Sequence, residues 1–242
     1  MKNNIVLVGG SGLIGAKLSE YLIREDYNVI VIDKKKLKRL HGIDFFNVDI
    51  TNSILLKKTL NKIFSKYKKI DALINCSYPK NKNWGKKFEK LKPIDLKENL
   101  YNHLGSTIIL CQLTIRYFSK QKYGNLVLFS SIQGVSAPKF EHYRGTKIIS
   151  PIEYSAMKAG IINITKYIAK YYKKKNIRIN CVSPGGIFAD QPNSFVKKYK
   201  NSCLSKGLLD GNDLCGTVHF LISDKSKYVN GQNIVVDDGW SL

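Results

Sequence analysis

Arginine is scarce in this chain. Only five of its 40 basic residues are Arg (Arg24, Arg39, Arg116, Arg144 and Arg178), against 18 Asp and Glu, so lysine carries nearly all of the +22 net charge. Base-reading nucleic-acid surfaces lean on Arg forks and clustered basic faces. Here the lysines are spread over nearly every helical segment, as in Lys57-Lys58, Lys68-Lys69, Lys86-Lys87 and Lys173-Lys174-Lys175. The charge therefore reads as a solvated surface that steers small anions, with no nucleic acid expected as a partner. Cysteine is sparse too: Cys76, Cys111, Cys181, Cys203 and Cys215 show no CxxC pair and no metal spacing. That excludes a disulfide frame and fits a reducing cytoplasm. The four histidines, His41, His103, His142 and His219, are equally dispersed, and no metal is expected. No apolar run approaches the roughly 20 residues of a membrane span. The chain enters its first apolar run at once, so neither a signal nor a transit peptide is expected. Repeats and Pro- or Ser-rich breaks are lacking, which predicts one domain over 1–242 with a sizeable core.

What the sequence does have is alternation. Short apolar runs near 4–8, 28–33, 44–47, 72–75, 125–130, 178–182 and 233–236 are separated by helical patterns. This predicts an α/β chain with a doubly wound parallel sheet and helices on both faces, a Rossmann fold. The first unit is explicit. Asn4–Val8 runs into Gly9-Gly10-Ser11-Gly12-Leu13-Ile14-Gly15, a helix follows from Ala16, and a second strand ends at Asp33. Glycines let a backbone approach a pyrophosphate, the helix N-terminus faces it, and the carboxylate accepts hydrogen bonds from an adenosine ribose. Asp33 also argues for NAD over NADP, since it would repel a 2′-phosphate. Lys34, Lys35, Lys36, Lys38 and Arg39 stand against it, but lysines are mobile, hydrated point charges and Arg39 lies six residues on.

The chemistry points to Tyr154-Ser-Ala-Met-Lys158. A tyrosine and a lysine four apart share one helix face. The ammonium would favour the phenolate, lowering the tyrosine pKa from about 10. Such a tyrosine can exchange a proton with a substrate oxygen that a serine, here Ser131, holds in place.

Together these elements resemble the short-chain dehydrogenase/reductase family over almost the whole chain. Asp49-Ile50 matches the family's acidic residue near the adenine, and Asn75-Cys76-Ser77-Tyr78 stands at its Asn-Asn-Ala-Gly strand end, keeping only the first Asn. Asn102-His-Leu-Gly105 fits the Asn-x-x-Gly whose Asn supports a proton-relay water. Pro184-Gly185-Gly186-Ile187 fits the turn beside the nicotinamide. The resemblance implies Asn102, Ser131, Tyr154 and Lys158 as catalytic residues. It implies Gly9, Ser11, Gly12, Leu13, Ile14, Gly15, Asp33, Asp49, Ile50, Asn75, Cys76, Tyr154, Lys158, Pro184, Gly185 and Ile187 around the cofactor. It also implies a homodimer or homotetramer packed through a helix over Ser155–Tyr172, on which Ala156, Ile161, Ile164, Ile168 and Tyr171 serve core or interface, and the helix after Asn102. Val8 and Ala189 replace threonines of many relatives, which bears on cofactor affinity more than on the reaction.

Twenty-three positions separate Ser131 from Tyr154, about twice the gap usual in the family's compact branch. The extra segment, about 137–151, begins where a substrate would lie. Its Lys139, Glu141, His142, Tyr143, Arg144 and Thr146 predict a polar lining, and loops at strand ends carry function disproportionately. A second substrate loop is expected at about 186–207, and the lysine-rich Lys80–Lys92 over the cleft. The insert and the Asp-Asp-Gly-Trp-Ser-Leu242 ending are similar to a subgroup called flagellin modification protein A, whose members tend to be encoded among bacterial genes for surface glycans and nonulosonic sugars. The expected activity is hydride transfer to or from a sugar or similar small polar substrate. A 3-oxoacyl-thioester reductase and a non-catalytic dinucleotide-binding protein remain alternatives.

Overall fold

Each apolar run becomes a strand. The computed structural model describes residues 2–36 and 43–242. Its strands are β1 Asn4–Val8, β2 Asn28–Asp33, β3 Asp44–Asn47, β4 Ala72–Asn75, β5 Gly124–Phe129, β6 Ile177–Pro184 and β7 Asn233–Val236. They form one parallel sheet in the order β3-β2-β1-β4-β5-β6-β7, with Val6 opposite both Ile30 and Leu73. β6 runs two residues past its expected end because β7 continues to pair it, and the ladder closes where Gly185 N–H donates to Val236 O at 2.8 Å.

The helices are α1 Leu13–Arg24, α2 Ser53–Tyr67, α3 Pro93–Leu100, α4 Ser106–Gln121, α5 Ile152–Tyr171, α6 Asn193–Lys200 and α7 Cys215–Ile222. A π turn, Tyr101–Gly105, joins α3 to α4. Because strand residues alternate between the faces, Val6, Val8 and Ile30 pack with Leu60, Ile63, Leu110, Phe118 and Ile161 of α2, α4 and α5. Ile5, Leu7 and Val31 pack with Leu18, Leu22, Val218 and Leu221 of α1 and α7 on the other face. Full burial of such side chains stabilises the fold by about 1.5–3 kcal/mol each.

The strand order reverses between β1 and β4, and in open α/β sheets ligands bind at that switch point, outside the strands' carboxyl ends. A cleft of about 960 Å³ opens there. α5 starts at Ile152, three residues earlier than expected, with Pro151 as its N-cap. Tyr154 thereby falls in the first turn, beside the cleft, and Lys158 one turn deeper.

Candidate active site

The glycine turn after β1 is shaped by two glycines that pack and one that leaves room. Gly9 has φ +76°, and a Cβ there would lie 2.6 Å from Ser77 N; at Gly15 it would collide with the Gly9 carbonyl oxygen. Gly12, the N-cap of α1, meets only Gly9 O at 3.4 Å and otherwise opens to the cleft. The first turn of α1 carries no acidic residue, so its free N–H groups and positive end face the cleft uncompensated. Ser11 Oγ is buried without a partner. An anion such as a pyrophosphate fits these features.

Asp33 ends β2 at the cleft, and its Oδ2 accepts from Ser11 N–H at 2.9 Å. Asp49 accepts from Thr51 N–H at 3.0 Å, and the Lys34 ammonium lies 2.6 Å from its carboxylate. Burial works to raise the Asp49 pKa, but the Lys34 and Thr51 contacts together outweigh it and hold the carboxyl below its usual range. Lys34 is therefore tied down. Lys35 lines the cleft and Lys36 is exposed, while Lys38 and Arg39 lie outside the described residues.

Ser131, Tyr154 and Lys158 meet at the centre. Ser131 follows β5, where its Oγ accepts from Gln133 N–H at 3.2 Å. The expected lowering of the tyrosine pKa by the lysine does not occur. Burial pushes the Tyr154 phenol above its ordinary range, and a hydrogen bond with the Ser131 hydroxyl only partly offsets this. Lys158 Nζ lies 5.6 Å from the Tyr154 ring centroid and donates instead to Phe129 O at 3.0 Å. Burial brings the lysine itself down to about 8. Desolvation outweighs the local pairing that the spacing suggests.

Of the residues expected around the cofactor, Gly15 and Asn75 do not line the cleft; the rest do. Asn75 is buried, its Nδ2 3.4 Å from Thr107 Oγ1 and its Oδ1 accepting from Ser77 Oγ at 2.6 Å, so it braces the strand end. Asn102 sits half-buried in the π turn and does not line the cleft either. Its neighbour His103 is buried with both ring nitrogens unpartnered, and its ring stands edge-on to Tyr78 at 5.3 Å. Burial, and then the Lys158 charge, hold this histidine well below the ordinary imidazole range.

The far end of the cleft departs most from expectation. Of the six polar insert residues, only Tyr143 lines it. Lys139 Nζ donates to Trp240 O at 2.8 Å and lies 4.9 Å from the Trp240 ring centroid, while His142 Nε2 lies 2.9 Å from Ser202 Oγ. These side chains fasten the insert to the C-terminal tail and to the segment after α6. Gln133 ties the insert to the Ser131 loop, donating to the Tyr143 phenol at 3.1 Å and accepting from Ser150 Oγ at 2.5 Å. Most of the lining is aromatic or apolar, with Tyr78, Trp84, Ile149, Phe195, Tyr199 and Trp240, and Gln133, Ser150 and Gln191 add polar groups. The chain has two tryptophans and both are here. The sequence signal for Trp84 is a large aromatic, beside only Phe88, in a lysine-rich stretch with no core periodicity.

Tyr199 keeps a donor at this end. The Tyr199 phenol oxygen accepts from Gly186 N–H at 2.5 Å, so its proton remains to donate, whereas the Tyr143 phenol is engaged by both Gln133 and Ser150. Burial raises both pKa values, which keeps both phenol protons in place at neutral pH.

The family described as Enoyl-(Acyl carrier protein) reductase matches residues 12–241. Over a 255-residue alignment covering all of both chains, this one is 40% identical to a Campylobacter coli protein named Post-translational flagellin modification protein A. It is 32% identical over 257 residues to a 7alpha-hydroxysteroid dehydrogenase of Bacteroides fragilis, covering 98% of this chain and 94% of that protein. In structure it is similar to a short chain dehydrogenase from Leptospira borgpetersenii with bound NAD+, at TM-score 0.91 and 33% identity, over 100% of this chain and 94% of that chain.

Proposed function

This chain belongs to the short-chain dehydrogenase/reductase family and is an NAD(P)-dependent oxidoreductase, and from that premise we propose what it acts on and how. The substrate is a sugar or similar polar ring compound, oxidised at a hydroxyl or reduced at a keto carbon, in the making of bacterial surface glycans or nonulosonic acids. One observation carries this reading: the phenol donor of Tyr199 stands among the rings of Phe195 and Trp240, with Trp84 lining the same cleft. Aromatic rings cover the C–H faces of a sugar ring while hydroxyl groups bind its rim. The likeness to the Campylobacter protein supports the glycan context. A second reading, a 3-oxoacyl thioester or a fused alicyclic alcohol, is favoured by the apolar wall of Ile132, Ile148, Ile149 and Leu208.

NAD is the cofactor. Support comes from Asp33 at the cleft, from the salt bridge that occupies Lys34, and from the NAD+ held by the Leptospira relative. Gly9, Ser11, Gly12, Leu13 and Ile14 would hold its pyrophosphate, Asp33 a ribose, Asp49 and Ile50 the adenine side, and Cys76, Pro184, Gly185 and Ile187 the nicotinamide side. When bound, it accepts or returns the hydride.

In reduction, the Tyr154 phenol donates a proton to the substrate oxygen, and its raised pKa keeps that proton available at neutral pH. In oxidation, Tyr154 must first give up the proton. Ser131 holds the oxygen, Lys158 would hold a ribose, and Asn102 supports a water that passes the proton outward. The assembly is a homodimer or homotetramer. Tyr101 in the π turn and Ile108 on α4, about half exposed, and Tyr167 on α5, 65% exposed, support it, whereas Ile161 belongs to the core and Ile168 packs against it. A cytoplasmic setting suits the five free cysteines.

The test is turnover of sugars, sugar phosphates and nucleotide sugars with NAD and NADP, beside a 3-oxoacyl thioester and a hydroxysteroid, read as reduced-nicotinamide absorbance. Sugar-type turnover with NAD is expected. Turnover of the thioester or steroid alone would establish the second reading.

A further inference from the structure

Lys158 is a cation with little to hold its charge. The residue is 5% exposed, and its ammonium donates to one carbonyl oxygen, that of Phe129, at 3.0 Å. Among the described residues no carboxylate acts on it. The thiols facing it, Cys76 beyond β4 and Cys181 on β6, are themselves kept protonated: burial raises both, Cys181 to about 12 and Cys76 further. His103, facing it from the π turn, is neutral.

Two rings do meet it. Lys158 Nζ lies 5.6 Å from the Tyr78 ring centroid and 5.6 Å from that of Tyr154. The rings stand at 79°, centroids 5.6 Å apart, so the ammonium sits where two π faces converge. Tyr78 is well held. Its ring is edge-on to His103 at 5.3 Å and to Trp84 at 5.6 Å, each at 89°, and Trp84 hydrogen-bonds its phenol. The exposed Lys80 ammonium also lies over this ring, at 5.4 Å, but keeps its water. The charge of Glu153 acts on Tyr78 and is not among the influences on Lys158.

We propose that Tyr78 is a positioning residue for the reaction: its ring, together with that of Tyr154, keeps Lys158 cationic and in place in a pocket that offers it no carboxylate. Tyr78 closes the Asn75-Cys76-Ser77-Tyr78 strand end, where the family resemblance has a glycine and hence no ring. A desolvated ammonium over an aromatic face is stabilised enough to move a titration midpoint by about one pH unit. The ring thus opposes the desolvation that drives Lys158 towards neutrality. Its catalytic meaning rests on the oxidoreductase mechanism proposed above; the charge state of Lys158 does not, and can be measured without substrate.

The experiment is a pH titration of the free protein carrying side-chain ¹³C-labelled lysine, with the Lys158 resonance identified by its loss in Lys158→Met. Parent and Tyr78→Phe are expected to titrate within about 0.3 unit of each other. A fluorinated phenylalanine at position 78 keeps the shape and weakens the ring's negative face, so the midpoint should fall by about one unit. Tyr78→Leu should do the same. A fluorinated ring that titrates like Phe overturns the proposal. So does a Leu variant whose midpoint rises, because the ring would then act only by excluding water. Should Tyr78→Leu fail to fold, the fluorinated series decides alone. Once a substrate is known, kcat above the parent's midpoint should fall about tenfold with KM unchanged, and Phe should restore it.

Discussion

At the dinucleotide end of the cleft, the lining comes largely from the first 50 residues: the Gly9–Ile14 turn, the end of β2 and the start of the segment after β3. At the other end, side chains arrive from far apart in sequence. Trp84 comes from the segment after β4, Tyr143 and Ile149 from the insert, Phe195 and Tyr199 from α6, and Trp240 from the tail. The first end is specified by where strands stop and where Cβ atoms are missing. The second is specified by which rings the folded chain brings together. The consequence is a difference in what each end tolerates: the first should fail through backbone geometry, the second through loss of recognition at Trp84, while Phe195, Tyr199 and Trp240 also pack as buried core. Tyr154 stands where they meet.

Tyr154→Phe should have the largest effect, cutting turnover roughly 10²–10⁴-fold while the Kd for NAD and the Tm stay near parent. Loss of NAD binding in that variant would mean that the two ends are not separable as described. Gly15→Ala probes the dinucleotide end alone. Its Cβ would collide with the Gly9 carbonyl, so a loss of about 1–3 kcal/mol in denaturant unfolding is expected, along with NAD affinity. A parent-like Tm would show that the turn yields more easily than the packing implies. Trp84→Ala probes the other end. It should raise KM about tenfold, with NAD Kd unchanged, since an aromatic contact contributes about 0.5–1.5 kcal/mol. An unchanged KM would remove Trp84 from substrate contact. Asp33→Ala should have the smallest effect, narrowing the NAD preference over NADP in paired titrations. An unchanged ratio would mean that Asp33 does not face the ribose.

The two ends also differ in how legible they were. All seven strands were readable because buried parallel strands are apolar runs bounded by turns, and the glycine turn was readable because its chemistry is local. Ser131, Tyr154 and Lys158 do converge, as the motif order implies. The side chains of the 137–151 segment were not readable in their direction. Lys139 and His142 look like substrate ligands until Trp240 and Ser202, 101 and 60 residues away, are seen to take them. The Tyr154 pKa was misjudged for a related reason: helical spacing puts the lysine near, but only the packed site reveals how strongly burial acts on both groups.

The pH dependence of alcohol oxidation tests the central claim most directly, namely that a protonated, buried Tyr154 is the group that exchanges the proton. A raised pKa leaves the phenol protonated through neutral pH, and the fraction competent to accept a proton grows tenfold with each pH unit below that value. The parent protein should therefore show kcat/KM for oxidation rising about tenfold per pH unit from 6 to 8, with the reverse reduction nearly flat over the same range. An oxidation profile that is flat from pH 6 to 8 would contradict the account.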